Sequence, residues 1–218
     1  MKIAVCIPTT GFVRAKCAQA LNELVAHTLS ARIIYNGAIA RPKFAFFYED
    51  AGPLELKRTR LALKALEWGA DYHLLIDWDH TFPPDALLRL AKHNLPLVGA
   101  NYPSRHGKPR PAALVGTGQP ATRHRGVQPV AAVGLGFCLI RSKVFSEIPK
   151  PWFQVHIADD GSFVCGEDVH FCNQVRSAAI DVHVDHDLIV GHIAETVLTL
   201  AGEDANDAVS VLPASGAQ

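Results

Sequence analysis

The 218-residue chain carries no net charge: its 21 basic and 21 acidic side chains cancel, so no global field draws it to nucleic acid or to an anionic membrane. Any polyanionic ligand must then be met by local charge. Nor does the sequence contain anything near the ~20 consecutive apolar residues that span a bilayer. The opening run from Met1 to Ile7 is too short for a secretory leader and stops at Pro8, so it reads as the first strand of a soluble protein. The five cysteines, at 6, 17, 138, 165 and 172, have neither zinc-ribbon spacing nor an even count, and most sit among apolar neighbours. They read as reduced core thiols, and the expected location is cytoplasmic. The segment after the first strand, Pro8-Thr9-Thr10-Gly11, also lacks the Gly/Arg/Lys-rich loop that a nucleotidyltransferase would usually show there.

What is present is enough apolar residue for a sizeable core, 49% of the chain, at a length that suggests one domain. Residues 1–200 are expected to form it, and the small, polar residues 201–218 a frayed tail. Strand and helix patterns alternate. Residues 2–7, 44–48, 73–77 and 96–100 read as buried strands. Between them lie helix faces marked by Ala18, Leu21, Val25 and Leu29, by Leu54, Leu61, Ala65 and Trp68, and by the stretch Pro84 to His93. That rhythm predicts an α/β fold, a Rossmann-like domain with a mostly parallel central sheet flanked by helices.

The rhythm breaks at residues 102–129, which hold five prolines and the bases Arg105, Lys108, Arg110, Arg123 and Arg125. A segment of this kind reads as a long loop or lid whose cations, Arg105 nearest the fourth strand, can neutralise charge on a departing diphosphate. Further on, Val130–Val133 and Phe137–Ile140 bracket Gly134-Leu135-Gly136, a spacing that permits a tight turn and a close backbone approach. Ser142 is placed to cap a short helix through Phe145.

Chemistry concentrates where the third strand ends. Asp77-Trp78-Asp79 follows the apolar run His73 to Ile76. Carboxylates at i and i+2 on a straight strand share a face, and at a strand's carboxyl end that face opens into the crevice where α/β sheets bind ligands. Two ionised Asp so close repel unless a hard divalent cation lies between them. Taken alone, the tripeptide also fits one Asp capping the next helix and the other lying exposed. A second acidic pair, Glu167-Asp168, follows Gly166 at the start of a helical pattern and is well placed for general-base work. Among the eleven histidines, Asp181, His183 and Asp185 alternate as a strand should, and read as a solvated sheet face more readily than as a second metal site.

Taken in order, Ile7-Pro8-Thr9-Thr10, Arg58-Thr59-Arg60-Leu61, Leu75-Ile76-Asp77-Trp78-Asp79, Gly134-Leu135-Gly136-Phe137, Gly166-Glu167-Asp168-Val169 and Gly191-His192 resemble a small GT-A-type glycosyltransferase of the family 2-like kind, over about residues 1–195. The resemblance implies a nucleotide-sugar donor, UDP- or GDP-linked, and a divalent metal, Mn2+ or Mg2+. It implies that Asp77 and Asp79 hold the metal with His192 as a late ligand, and that Pro8, Thr9, Glu49 or Asp50, Arg58 and Asp77 meet the nucleotide. It further implies that Asp168, with Glu167 beside it, supplies the base in an inverting reaction. The acceptor it leaves open: glycan, lipid, protein or nucleic acid. Thr59, where many relatives carry Asn, and the bulky Trp78 depart from the usual pattern and bear on donor identity. The readings that stand beside it are a nucleotidyltransferase and a non-catalytic nucleotide- or carbohydrate-binding module.

Overall fold

A computed structural model describes residues 1–35, 37–104, 110–116, 118–122 and 125–194, together with the backbone of 197–198 and 211–212. Arg105, Lys108 and Arg123 and most of the expected tail at 201–218 lie outside the described residues. Five helices are present among the described residues: α1 (Ala15–Ser30), α2 (Leu54–Glu67), α3 (Ala86–Lys92), α4 (Val144–Glu147) and α5 (Glu167–Ser177). The strands in chain order are β1 (Lys2–Pro8), β2 (Ile33–Tyr35), β3 (Ala38–Ala40), β4 (Lys43–Glu49), β5 (Tyr72–Ile76), β6 (His80–Thr81), β7 (Leu97–Ala100), β8 (Val127–Val130), β9 (Phe137–Arg141), β10 (His156–Ile157), β11 (Phe163–Cys165), β12 (Val182–Asp185) and β13 (Gly191–His192).

Seven of these build the central sheet in the order β4-β1-β5-β9-β7-β12-β8. β4, β1, β5, β7 and β12 run one way; β9 and β8 run against them. The result is the α/β, mostly parallel sheet that the alternating pattern predicts. β1 and β5 are near-continuous apolar runs because a central strand has both faces covered, and they carry much of the fully buried volume: Ile3, Ile7, Leu74, Leu75 and Ile76. The three adjacent parallel strands β4, β1 and β5 all end at the same edge, so Glu49-Asp50, Pro8-Thr9 and Asp77 leave the sheet side by side.

The helices match the periodicity reading in part: Leu21, Leu61 and Ala65 are buried as expected, and the rest of each stripe differs. On α1 the buried stripe is Cys17, Ala20, Leu21, Leu24 and Thr28, with Leu29 turned out to solvent. Thr28 can sit inside because its hydroxyl donates back to the Leu24 carbonyl at 2.7 Å, which satisfies the polar atom within the helix. On α2 the stripe is Arg58, Leu61, Ala62 and Ala65, and Leu54 is exposed; a charged residue holds the position that helical spacing reserves for an apolar one. Ser142 caps no helix: its hydroxyl is spent on the Ala70 carbonyl. The described part of the 102–129 segment is tied into the fold. Its end is β8, antiparallel to β12, and bridges at Pro103–Pro111, Leu114–Pro120 and Leu114–Ala132 seat Ala113 and Ala121 in the core. Nor is the end of β12 a solvated face, since Asp185 is buried, accepting from the Asp187 and Leu188 amides and paired with His93 at 2.9 Å. All five cysteines are free thiols, four of them buried, and burial pushes the Cys6 thiol up to about 12.

His73, on β5, is fully buried against Phe145 at a ring separation of 4.5 Å, and neither ring nitrogen has a hydrogen-bond partner among the described residues. Burial pushes its pKa down to about 3, so the folded protein keeps it neutral. The unfolded chain binds a proton near pH 6.5, and stability must fall as pH drops from there toward 3, by about 1.4 kcal/mol per unit. A His73→Leu variant should therefore lose about 2 kcal/mol less than the parent between pH 7 and pH 5. Urea titrations at the two pH values measure this, and parallel losses in both proteins would contradict it.

Candidate active site and metal centre

Asp77, Trp78 and Asp79 form a turn, not an extension of β5, closed by the His80 amide donating to the Asp77 carbonyl at 3.3 Å. The two carboxylates therefore part company. Trp78 packs edge-on against Phe12 at 4.8 Å, with the Arg14 guanidinium over its ring, so its bulk is absorbed by the loop that follows β1.

Asp77 is held from beneath by Arg58. Arg58 Nη2 lies 3.1 Å from Asp77 Oδ1, Nη1 donates to the Leu135 carbonyl at 2.8 Å, and Nε lies 3.2 Å from Glu167 Oε1. Burial opposes the guanidinium's charge, but the carboxylates of Asp77 and Glu167 outweigh it and raise its pKa. On Glu167 burial wins over Arg58, and its carboxyl titrates above the usual range. Arg58 thus lies below the cleft floor with its fork spent on protein partners. β9 supports the same corner. The Asp77 amide donates to the Gly136 carbonyl at 2.8 Å, and the Gly136 amide donates to the Tyr102 hydroxyl at 2.8 Å.

Asp79 faces the other way, into a cluster that the sequence reading only half anticipated. Short strands β6 and β13 pair antiparallel and set His80 opposite His192, and the Ile193 amide donates to the Asp79 carbonyl. Asp79, His80 and His192 can each present one ligand atom, all within 4.8 Å of one another. His192 Nε2 lies 3.4 Å from Asp79 Oδ2, and His80 Nδ1 lies 3.6 Å from Asp79 Oδ1. The two imidazoles stack at 4.6 Å, with Tyr102 edge-on to His80.

Two details fit this cluster to a cation. The His192 Nδ1 contact at 3.0 Å is to the Pro103 carbonyl, which can only accept, so Nδ1 carries the proton. Nε2 then turns its lone pair toward a carboxylate, an arrangement that needs a proton or a metal between them and that backbone carbonyls commonly enforce on metal-binding histidines. His80 is fully buried, and neither of its ring nitrogens has a hydrogen-bond partner among the described residues. Sequence spacing drew attention to Asp79 and His192 and missed His80. The signal was its place directly after Asp79.

Pro8, Thr9, Asp77, Asp79 and His192 line one cleft of ≈ 230 Å³, which Lys57 also borders while donating to the Thr9 carbonyl at 2.7 Å. Asp50 and Thr9 line an adjoining pocket of ≈ 420 Å³. Glu49 is turned away onto α2, where Lys64 holds its carboxylate at 2.5 Å and Arg60 lies 3.8 Å off. The acidic pair on α5 divides in the same manner: Glu167 points inward to Arg58, and Asp168 lines a third cavity, of ≈ 630 Å³.

No model of a known protein family matches this chain, and no curated protein matches it. Solved structures do. A197 from STIV superposes with a TM-score of 0.59 at 18% identity, over 89% of this chain and 87% of that one. GalNAc-T7, solved with UDP, GalNAc and Mn2+, superposes with a TM-score of 0.54 at 11% identity, over 89% of this chain and 44% of that one. The fold is GT-A-like. The chain spans less than half the length of GalNAc-T7, and the likeness at these identities is one of fold. Among the described residues no helix is long and apolar enough to cross a membrane.

Proposed function

We propose that the protein is a metal-dependent glycosyltransferase that moves a sugar from a nucleotide-sugar donor, UDP- or GDP-linked, to an acceptor hydroxyl. The observation that carries this reading is the Asp79–His80–His192 cluster, whose Asp79 and His192 line the same cleft as Pro8, Thr9 and Asp77 at the carboxyl edge of a GT-A-like sheet. A nucleotide-sugar diphosphate brings the negative charge that such a cleft can bind only with a cation, and the chain's zero net charge means the cation must be local.

Asp79 and His192 would hold the ion with His80, and Asp77, fixed by Arg58, would orient the ribose or complete the ion's shell. One carboxylate and two imidazoles suit manganese better than magnesium, which favours an all-oxygen octahedron. The chemistry supplied there is Lewis-acid neutralisation of the leaving diphosphate. Pro8 and Thr9, with Asp50 in the adjoining pocket, would flank the nucleoside. Asp168 would take the acceptor's proton in an inverting reaction. Its Oδ1 accepts from the Val169 amide at 2.7 Å, and its Oδ2 has no hydrogen-bond partner among the described residues.

The test is release of free nucleotide diphosphate from a panel of nucleotide sugars, with manganese or with chelator. Metal-dependent release from one donor supports the transferase reading, and chelator-resistant or absent release counts against it. On the same protein, manganese with UDP or GDP should raise Tm, and magnesium much less. His192→Ala, at a partly exposed position, should weaken manganese binding at least ten-fold. An unchanged manganese isotherm in His192→Ala would remove the cluster as the metal site.

A further inference from the structure

The ≈ 630 Å³ cavity is larger than the metal cleft and differs from it in kind. Its walls are residues 114–116 with Gly118, Ala131 and Ala132, the strand β11, and the outward side of α5. Leu114, Ala132, Phe163, Val164 and Val169 make most of that surface apolar, and its polar side chains are Asp168, Asn173 and Arg176. Phe163, Val164 and Val115 are also among the most exposed large apolar side chains of the protein, at 69%, 60% and 50%. Ile157, paired across the hairpin from Phe163, continues the same apolar rim. Pockets that bind small molecules have this size and this make-up, mainly apolar walls with a few convergent polar groups.

A short chain of contacts ties the cavity to the cleft: Asp168 on its wall follows Glu167, whose carboxylate lies 3.2 Å from Arg58 Nε, and Arg58 Nη2 lies 3.1 Å from Asp77, which lines the cleft. A saccharide would find few partners there. Its hydroxyls need a dense set of donors and acceptors, and desolvating them against Phe163, Val164 and Leu114 without replacements would be costly. The hairpin's turn, Asp159-Asp160-Gly161-Ser162, is acidic, which disfavours reading the rim as a contact for an anionic membrane.

We propose that this trough seats the acceptor of the transfer, and that the acceptor is a small alcohol with an apolar body, aromatic or aliphatic, rather than a saccharide. The assignment as acceptor site rests on the transferase reading; the apolar class rests on the trough alone. The ligand's hydroxyl would point to Asp168 Oδ2 and its body would lie along Phe163, Val164 and Leu114.

The probe is 2-naphthol, followed by its own fluorescence, titrated into the full chain and into Phe163→Asp, Val164→Asp and Leu29→Asp. The first two replace exposed side chains of the rim, so folding is not at stake; Leu29 is an exposed leucine of α1 outside the trough. Saturable binding to the parent and to Leu29→Asp, weakened at least ten-fold in both rim variants and undisturbed by excess cellobiose, is the expected result. Equal binding in all four proteins, no binding, or displacement by cellobiose overturns the apolar class. The manganese–UDP and manganese–GDP thermal shifts of the same samples read the transferase assignment separately. Naphthol binding without either shift would overturn the role as acceptor site, and a shift without naphthol binding would overturn only the apolar class.

Discussion

An Arg58→Met variant should lose about 3–5 kcal/mol of folding stability, the usual result of removing one member of a buried ion pair. The side chain is almost fully buried and serves Asp77, Glu167 and the Leu135 carbonyl at once. Methionine fills similar volume, but leaves the largely buried Glu167 and the partly buried Asp77 carboxylates without their counter-charge. The deficit should depend on pH in a definite sense. Burial already raises the Glu167 carboxyl against the pull of Arg58, and losing Arg58 raises it further. A carboxyl whose folded pKa exceeds its unfolded value contributes stability at low pH and loses it as pH rises through that window. The penalty is then full at pH 8 and smaller near pH 5. Arg58→Lys keeps the charge without the three-way fork and should fall between the two. Urea denaturation at both pH values decides the matter, and a deficit that grew toward acid would show that unpaired carboxylates are not its cause.

Gly136→Ala should be nearly as damaging, and for a steric reason. A Cβ there would lie 2.7 Å from Asp77 Oδ2, 2.7 Å from His80 Cε1 and 2.7 Å from the Tyr102 hydroxyl. None of the three can easily retreat. Asp77 is gripped by Arg58, His80 is stacked on His192 with Tyr102 edge-on to it, and the Tyr102 hydroxyl accepts the Gly136 amide. Overpacking of this kind costs about 1–3 kcal/mol in a core. Here it also spreads the Asp79–His80–His192 cluster and tilts Asp77, so under the proposed function manganese binding should fall by at least ten-fold, in line with about 1.4 kcal/mol per decade. An alanine variant with normal Tm and normal manganese binding would refute the argument.

How much of this was legible beforehand varied with the kind of physics involved. β1 and β5 announced themselves as unbroken apolar runs, because a strand covered on both faces has no polar side to show. The helix stripes were read partly: Leu21 on α1 and Leu61 and Ala65 on α2 are buried, while most of the α1 stripe lies one position earlier and Leu54 and Leu29 are exposed. Thr28 and Arg58 occupy buried positions that only intrahelical or tertiary partners make tolerable, and hydrophobicity gives no hint of such partners. Asp79 and His192 were marked by their surroundings, whereas His80 became a candidate ligand only once two-residue strands paired across a long stretch of chain. Glu167 and Asp168 were found as a pair, yet adjacent helical residues diverge by about 100°, and no spacing rule says which of them meets Arg58 and which lines the trough.

The pairing of β6 with β13 has a temporal side. Asp79 and His80 leave the ribosome more than a hundred residues before His192, and β12, an interior strand of the sheet, also arrives late. At synthesis rates of about 5–20 residues per second, the nascent chain spends several seconds with β1, β4, β5 and α2 available to pack but with the His80 nitrogens lacking their neighbour. The Arg58–Asp77 contact can close during that interval, since both partners emerge early. The floor of the cleft can thus be laid while the metal cluster is still incomplete, so an ion captured by Asp79, His80 and His192 would lock a fold already substantially formed rather than template it.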